Sequence, residues 1–102
     1  MTMNPASQML PNLTGKTLSE ALTILAAQGF SFKNSTVGGY ESWEHPDGSI
    51  IHIRPTGEVV RTGPKMRSPS GRSYRRRYNQ NGEQIEFTPG ANTHSTGENL
   101  IL

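Results

Sequence analysis

The chain has 102 residues, 31% hydrophobic and 18% charged, with a mean hydropathy of -0.62, enough for one small domain with a thin core. Cysteine is absent, which excludes disulfide staples, thiol nucleophiles and cysteine-ligated zinc together. The net charge of +2 conceals a basic block at 54–78, where Arg54, Arg61, Lys65, Arg67, Arg72, Arg75, Arg76 and Arg77 are offset by Glu58 alone; so dense a run points to a polyanionic partner, the plainer alternative being a solvated basic face.

Residues 1–9 are polar and unpatterned and read as a disordered lead, which leaves 10–102 as a single domain. No run approaches the roughly 20 apolar residues of a membrane span, and the opening lacks the charged and apolar regions of a signal peptide. Thr17 followed by Glu20 is a capping signal, Leu18, Ala21, Leu22 and Leu25 recur at helical spacing, and Gly29 closes the run. An amphipathic helix is therefore predicted over about 17–28. Beyond Phe30, short alternating runs are separated by Gly, Pro and Asn, the pattern of an antiparallel meander. Strands are predicted over 37–44, 49–54, 58–62 and 73–78, with 84–88 as a candidate fifth. Gly63-Pro64 ends the third, and Lys65 to Arg72 reads as a flexible basic loop. The expected fold is α+β, an N-terminal helix packed on a four- to five-stranded antiparallel meander. Period-two alternation directs Ile51 and Ile53 to the helix and Ile50, His52 and Arg54 to the other face. Tyr74, Arg76 and Tyr78 alternate in the same way with Ser73, Arg75 and Arg77.

The segments Trp43 to Ser49, Ile53 to Lys65, Tyr74 to Tyr78 and Thr93 to Glu98 resemble the C-terminal toxin modules of bacterial polymorphic toxins of the contact-dependent inhibition and Rhs types. The helix-then-meander order is similar to the barnase, EndoU, colicin and RelE group of small metal-independent ribonucleases. This resemblance spans about 37–102 and implies RNA held on the sheet face. Separately, Leu10-Pro-Asn-Leu-Thr-Gly-Lys-Thr-Leu-Ser-Glu-Ala resembles the opening of a PASTA repeat. That likeness stops at Phe30 and reads as shared helix-capping grammar.

Metal-independent RNA cleavage needs a base for the ribose 2′-hydroxyl, an acid for the leaving 5′-oxygen and a cation at the phosphorane. Histidine suits either proton role near neutrality, and His45, His52 and His94 are available. His52 and Arg54, two residues apart on one strand face, lie about 7 Å from each other and form the best base and phosphate-holding pair. The alternative for His52 is an exposed strand histidine with no role. His94 lies in a hydroxyl-rich segment that would supply the second proton carrier, or else is a disordered tail; the aliphatic Leu100-Ile-Leu end asks for something to pack on. His45 reads chiefly as turn chemistry, Glu41 and Glu44 as a general base or as solubilising charges, and Glu58 as the partner of Arg54 or Arg61. Arg75, Arg76 and Arg77 between Tyr74 and Tyr78 combine phosphate-binding forks with rings on which bases stack, the alternative being solvated arginines beside two packed aromatics. Lys65 and Arg67 steer backbone phosphates. Phosphate-loop, nucleophile-elbow, Rossmann and metal-array motifs are missing.

The resemblance therefore implies an endoribonuclease toxin cutting tRNA or rRNA by transesterification, with Arg54 and Arg76 holding phosphate and His52 and His94 exchanging protons. Lys65, Arg67, Tyr74, Arg75, Arg77 and Tyr78 would bind the RNA, with no metal and no cofactor. It further implies a larger secreted or cell-surface parent chain, action in the cytoplasm of a target cell, and a cognate immunity protein covering the basic cleft. The rival reading is a noncatalytic RNA- or protein-binding module using the same basic-aromatic face; a toxin of NAD-directed or deoxyribonuclease chemistry has no supporting motif.

Overall fold

In the computed structural model, residues 4–35, 41–85 and 98–101 are described. Helix α1 spans Leu18–Ala27, and both of its ends are written in the sequence. Thr17 Oγ1 accepts from the Glu20 amide (3.2 Å), while Glu20 Oε1 accepts from the Thr17 amide (3.1 Å), a complete capping box. The Thr17 amide hydrogen bond, assisted by the Thr17 hydroxyl, holds the Glu20 carboxyl below its usual pKa. At the other end the Gly29 amide reaches the Ala26 carbonyl and the Phe30 amide reaches Leu25, a Schellman closure that needs the positive φ of 94° at Gly29. Phe30 is thereby turned inward to join Leu25 in the core.

Among the described residues six strands follow in one antiparallel sheet whose spatial order is the chain order: β1 (Ser31–Ser35), β2 (Glu41–Glu44), β3 (Ile50–Ile53), β4 (Val59–Arg67), β5 (Ser73–Tyr78) and β6 (Gln84–Ile85). This corrects the expected helix on a four- to five-stranded meander, because the molecule is dominated by its sheet and α1 is only ten residues long. Two local features explain the difference. Ser31–Ser35 forms an edge strand against β2, with Phe32 opposite Trp43 and their rings edge to face at 5.5 Å. The third predicted strand does not stop at Gly63-Pro64. A bulge between Thr62 and Lys65 absorbs the proline, whose missing N–H would break a regular ladder, and the strand continues to Arg67. The expected flexible loop thus contracts to a turn, in which the Ser68 amide meets the Arg72 carbonyl at 2.8 Å and the Gly71 amide meets Ser68 at 2.9 Å. The remainder of the predicted strand 37–44 before Glu41, and of 84–88 after Ile85, lies outside the described residues.

One sheet face is covered. Ile51, Ile53 and Val59 pack there with Ala21 and Leu25 of α1, with Leu10 and Leu13 ahead of it, and with Leu100. Each large aliphatic side chain so buried contributes about 1.5–3 kcal/mol. Parity places His52 and Ile50 on the opposite face, as the alternation predicts. Residues 98–101 thread between two segments: the Val59 amide meets the Glu98 carbonyl, the Leu100 amide meets Gly57, and the Ile101 amide meets Lys16.

At the centre of the covered side lies an ion pair that sequence reading missed. Arg61, fully buried, donates from Nε to Glu98 Oε1 at 2.8 Å and from Nη2 to Glu98 Oε2 at 2.6 Å. Its remaining donors reach the carbonyls of Leu10 and Pro11, each at 2.8 Å, and of Ser7 at 3.2 Å. Glu98 Oε2 also accepts from the Leu13 amide at 2.8 Å. Arg61 therefore leaves the basic block as a partner-binding cation and becomes an internal tie. Glu58 pairs with Arg54 (3.0 Å), the first of its two expected partners.

Candidate functional site

The face of β3, β4 and β5 opposite the helix carries most of the remaining cations, and the bulge decides which. Thr62 stands opposite Arg77, and Lys65 stands opposite Arg75. Without the extra residue Lys65 would fall on the other face from Thr62; the bulge brings the two onto the same side. His52 joins them from β3, where its Nδ1 lies 3.1 Å from Ser42 Oγ. Together His52, Thr62, Lys65, Ser73, Tyr74, Arg75 and Arg77 line a shallow depression of about 350 Å³. Arg75 is fixed in place, because its Nη1 donates to the carbonyls of Gly48 (2.7 Å) and Gly63 (3.0 Å), the latter inside the bulge. A neighbouring depression of about 240 Å³ is lined by Lys65, Met66, Arg67 and Ser73.

Met66, Arg76 and Tyr78 belong to the other face, where they line a cavity of about 360 Å³ with Asn4, Pro5, Gln8, Gly63, Pro64 and Gln84. Tyr78 is only 2% exposed. Burial pushes its phenol pKa up, against the charge and hydrogen bond of Arg76. No stacking platform of two tyrosines forms, since Tyr78 is internal and Tyr74 follows the parity of Arg76.

The four residues expected to act as one catalytic set are therefore apart. His52 is on the open face, Arg54 is paired with Glu58 at the β3–β4 turn, and Arg76 is on the opposite face. His94 lies outside the described residues. Of the six expected RNA-binding residues, Lys65, Tyr74, Arg75 and Arg77 line one depression, Arg67 adjoins them, and Tyr78 is internal. Thr62 and Ser73 were missed; the β4–β5 register, which sequence alone left unplaced, is the signal that finds them. His45 is a turn residue, its Nδ1 accepting from the Asp47 amide at 3.0 Å and its ring edge-on to Phe30 at 5.2 Å. Among the described residues no cluster of three His, Cys, Asp or Glu side chains is arranged for a metal, and no helix is long and apolar enough to cross a membrane.

The PASTA domain family matches residues 8–67, which is more than half of the chain. The chain belongs to the PASTA family. The opening that resembles a PASTA repeat is thus more than capping grammar, because the match runs on past Phe30 through the bulge and to the end of β4. Membership overturns the toxin and ribonuclease reading: the helix-then-strand order shared with small nucleases is here that of a PASTA domain. No curated protein and no solved structure matches the chain. Strands β5 and β6 and the Glu98–Ile101 segment lie beyond the matched residues, yet β5 supplies half of the basic face and Glu98 completes the core.

Proposed function

We propose that this PASTA domain is a noncatalytic binding module that holds the carboxylates of a peptidoglycan-type ligand on the basic face of its sheet. PASTA domains bind peptidoglycan or peptide in kinases and penicillin-binding proteins. The observation that carries the reading is the depression between β3, β4 and β5, where Lys65, Arg75 and Arg77 meet the Ser73 hydroxyl with no carboxylate among the described residues of the lining, the Thr62 hydroxyl being held by the Ile50 carbonyl at 2.8 Å. Such a site favours anionic groups through charge-assisted hydrogen bonds. Chemistry is disfavoured there by the same geometry. His52 is the single imidazole among the described residues of the lining, and its Nδ1 is engaged with Ser42, whereas acid–base cleavage near neutrality needs a matched second group.

Calorimetric titration of the 102-residue chain with soluble peptidoglycan stem fragments tests this. Lys65→Gln removes one charged partner, so affinity falls by about tenfold or more, the value of one charge-assisted hydrogen bond, while His52→Ala changes it by less than about threefold. Fragments with amidated carboxylates bind poorly. Equal binding of amidated and free fragments, or a fragment whose mass changes on incubation, refutes the proposal.

A further inference from the structure

The basic face is longer than a single anion requires. The two depressions share Lys65 and Ser73, so they form one continuous track along the β4–β5 hairpin, from Arg77 through Arg75 and Lys65 to Arg67, with Arg72 at its tip. Cations at alternate positions of a strand recur every 7 Å or so. Lys65 stands directly opposite Arg75, a like-charge juxtaposition that destabilises a sheet and that no carboxylate among the described residues of either lining relieves. A repeated cation row maintained against its own repulsion matches a repeated anion.

We infer that this track binds a linear phosphodiester polymer that carries no bases, with one phosphate per repeat laid along β4 and β5. This rests on the reading of the same face as an anion-binding surface and extends it from one headgroup to a chain. Two observations select the ligand. Guanidinium forks match phosphate oxygens, and the row is mainly arginine. Reading successive bases on an open sheet uses several aromatic side chains, and among the described residues the track offers one ring: Tyr74 lines the first depression, whereas Tyr78 is internal and Trp43 packs against the core on the covered side. An acidic peptide would gain from adding itself as a strand; β3 pairs with β4 only from Val59 to Thr62, so the poly-glutamate arm of the test separates that case.

The test is fluorescence anisotropy of the 102-residue chain with labelled poly(glycerol phosphate), against monomeric glycerol phosphate, oligouridylate, poly-glutamate and a peptidoglycan stem fragment. The expected result is binding of the polymer about a hundredfold tighter than the monomer through multivalency, with a steep salt dependence. Arg67→Gln with Arg72→Gln, both exposed side chains, weakens the polymer about tenfold and flattens that dependence, while stem-fragment affinity and the melting curve stay unchanged. Polymer binding no tighter than the monomer, or insensitive to the double variant, overturns the inference. Oligouridylate or poly-glutamate bound as tightly as the polymer also overturns it, in favour of nucleic acid or acidic peptide. If neither the stem fragment nor any other anion binds, the anion-binding reading itself falls, and the polymer with it.

Discussion

Removing the Glu98 carboxylate strands the Arg61 guanidinium inside the protein. Both side chains are 0% exposed, two donors of Arg61 end on Glu98, and the Leu13 amide ends there as well. Losing one partner of a buried pair costs about 3–5 kcal/mol, and an orphaned buried amide adds about 1–3 kcal/mol. The other Arg61 donors keep their carbonyl partners at Leu10 and Pro11, which supports the lower part of the combined range, about 4–6 kcal/mol. A domain of this size holds only about 5–15 kcal/mol in total. Glu98→Ala therefore lowers the melting temperature by about 15–30 °C, at several degrees per kcal/mol, or abolishes cooperative melting altogether. Thermal denaturation followed by far-ultraviolet circular dichroism measures it. The double replacement Arg61→Met with Glu98→Leu is the control: it removes the stranded charge, so it melts well above Glu98→Ala. A single variant that melts within about 5 °C of the parent, a loss near 1 kcal/mol, refutes the account of Glu98 as the counter-ion of a buried charge.

Asp47 ties the N-terminal turn to the β2–β3 turn, accepting from the Ala6 amide at 2.8 Å and the Ser49 amide at 2.7 Å. Burial works to raise its pKa, but those amides outweigh it and hold the carboxyl below the ordinary 3.8. A depressed carboxyl stabilises above its unfolded value, so the parent loses stability as pH falls below about 4, and Asp47→Asn flattens that acid limb in melts from pH 6 to pH 2. Gly29→Ala forces a side chain onto a backbone with φ of 94° and brings Cβ within 3.0 Å of His45 Nε2, so a loss of about 1–2 kcal/mol is expected in urea titration; an unchanged midpoint contradicts the strain at this cap. A chain ending at Arg67, the limit of the family match, lacks β5, β6, Glu98 and Leu100, and shows collapsed amide dispersion by NMR; a cooperative melt of that fragment contradicts the unity of the fold.

What the sequence discloses, and what it withholds, follows the range of the forces involved. The helix is legible because its cap box and Schellman closure lie within three or four residues of each other. The faces of β3 follow from alternation alone. The continuation of β4 was hidden, since Gly63-Pro64 is a stop signal everywhere except at a bulge, and whether a bulge forms depends on β5 supplying a partner ten or more residues on. The same bulge inverts the parity of Lys65, so the grouping of Thr62, Lys65, Arg75 and Arg77 required the register rather than the pattern. Arg61 reads from sequence as one cation of the partner-facing basic block for a related reason: its partner is 37 positions away, and no local rule distinguishes a buried arginine from an exposed one when the counter-ion is that remote.

Placing the Arg61–Glu98 pair and the basic track side by side explains why the chain extends past the PASTA match. Arg61 and Thr62 are neighbours in β4, one directed into the core and the other into the depression. Glu98 neutralises the first from beneath, and β5 pairs with both, Tyr78 opposite Arg61 and Arg77 opposite Thr62. Tyr78 closes the covered side over the bulge, approaching Gly63 so nearly that a Cβ there would lie 3.4 Å from its ring and hydroxyl. Arg75, from the same strand, pins the bulge from the open side through the Gly63 carbonyl. One added strand thus clamps an irregular segment from both faces, and that segment fixes the direction of Lys65. The residues beyond 67 act on the site through the backbone of β4, so a substitution at Gly63 should disturb stem-fragment affinity and stability together, whereas one at exposed Arg67 should disturb polymer affinity alone.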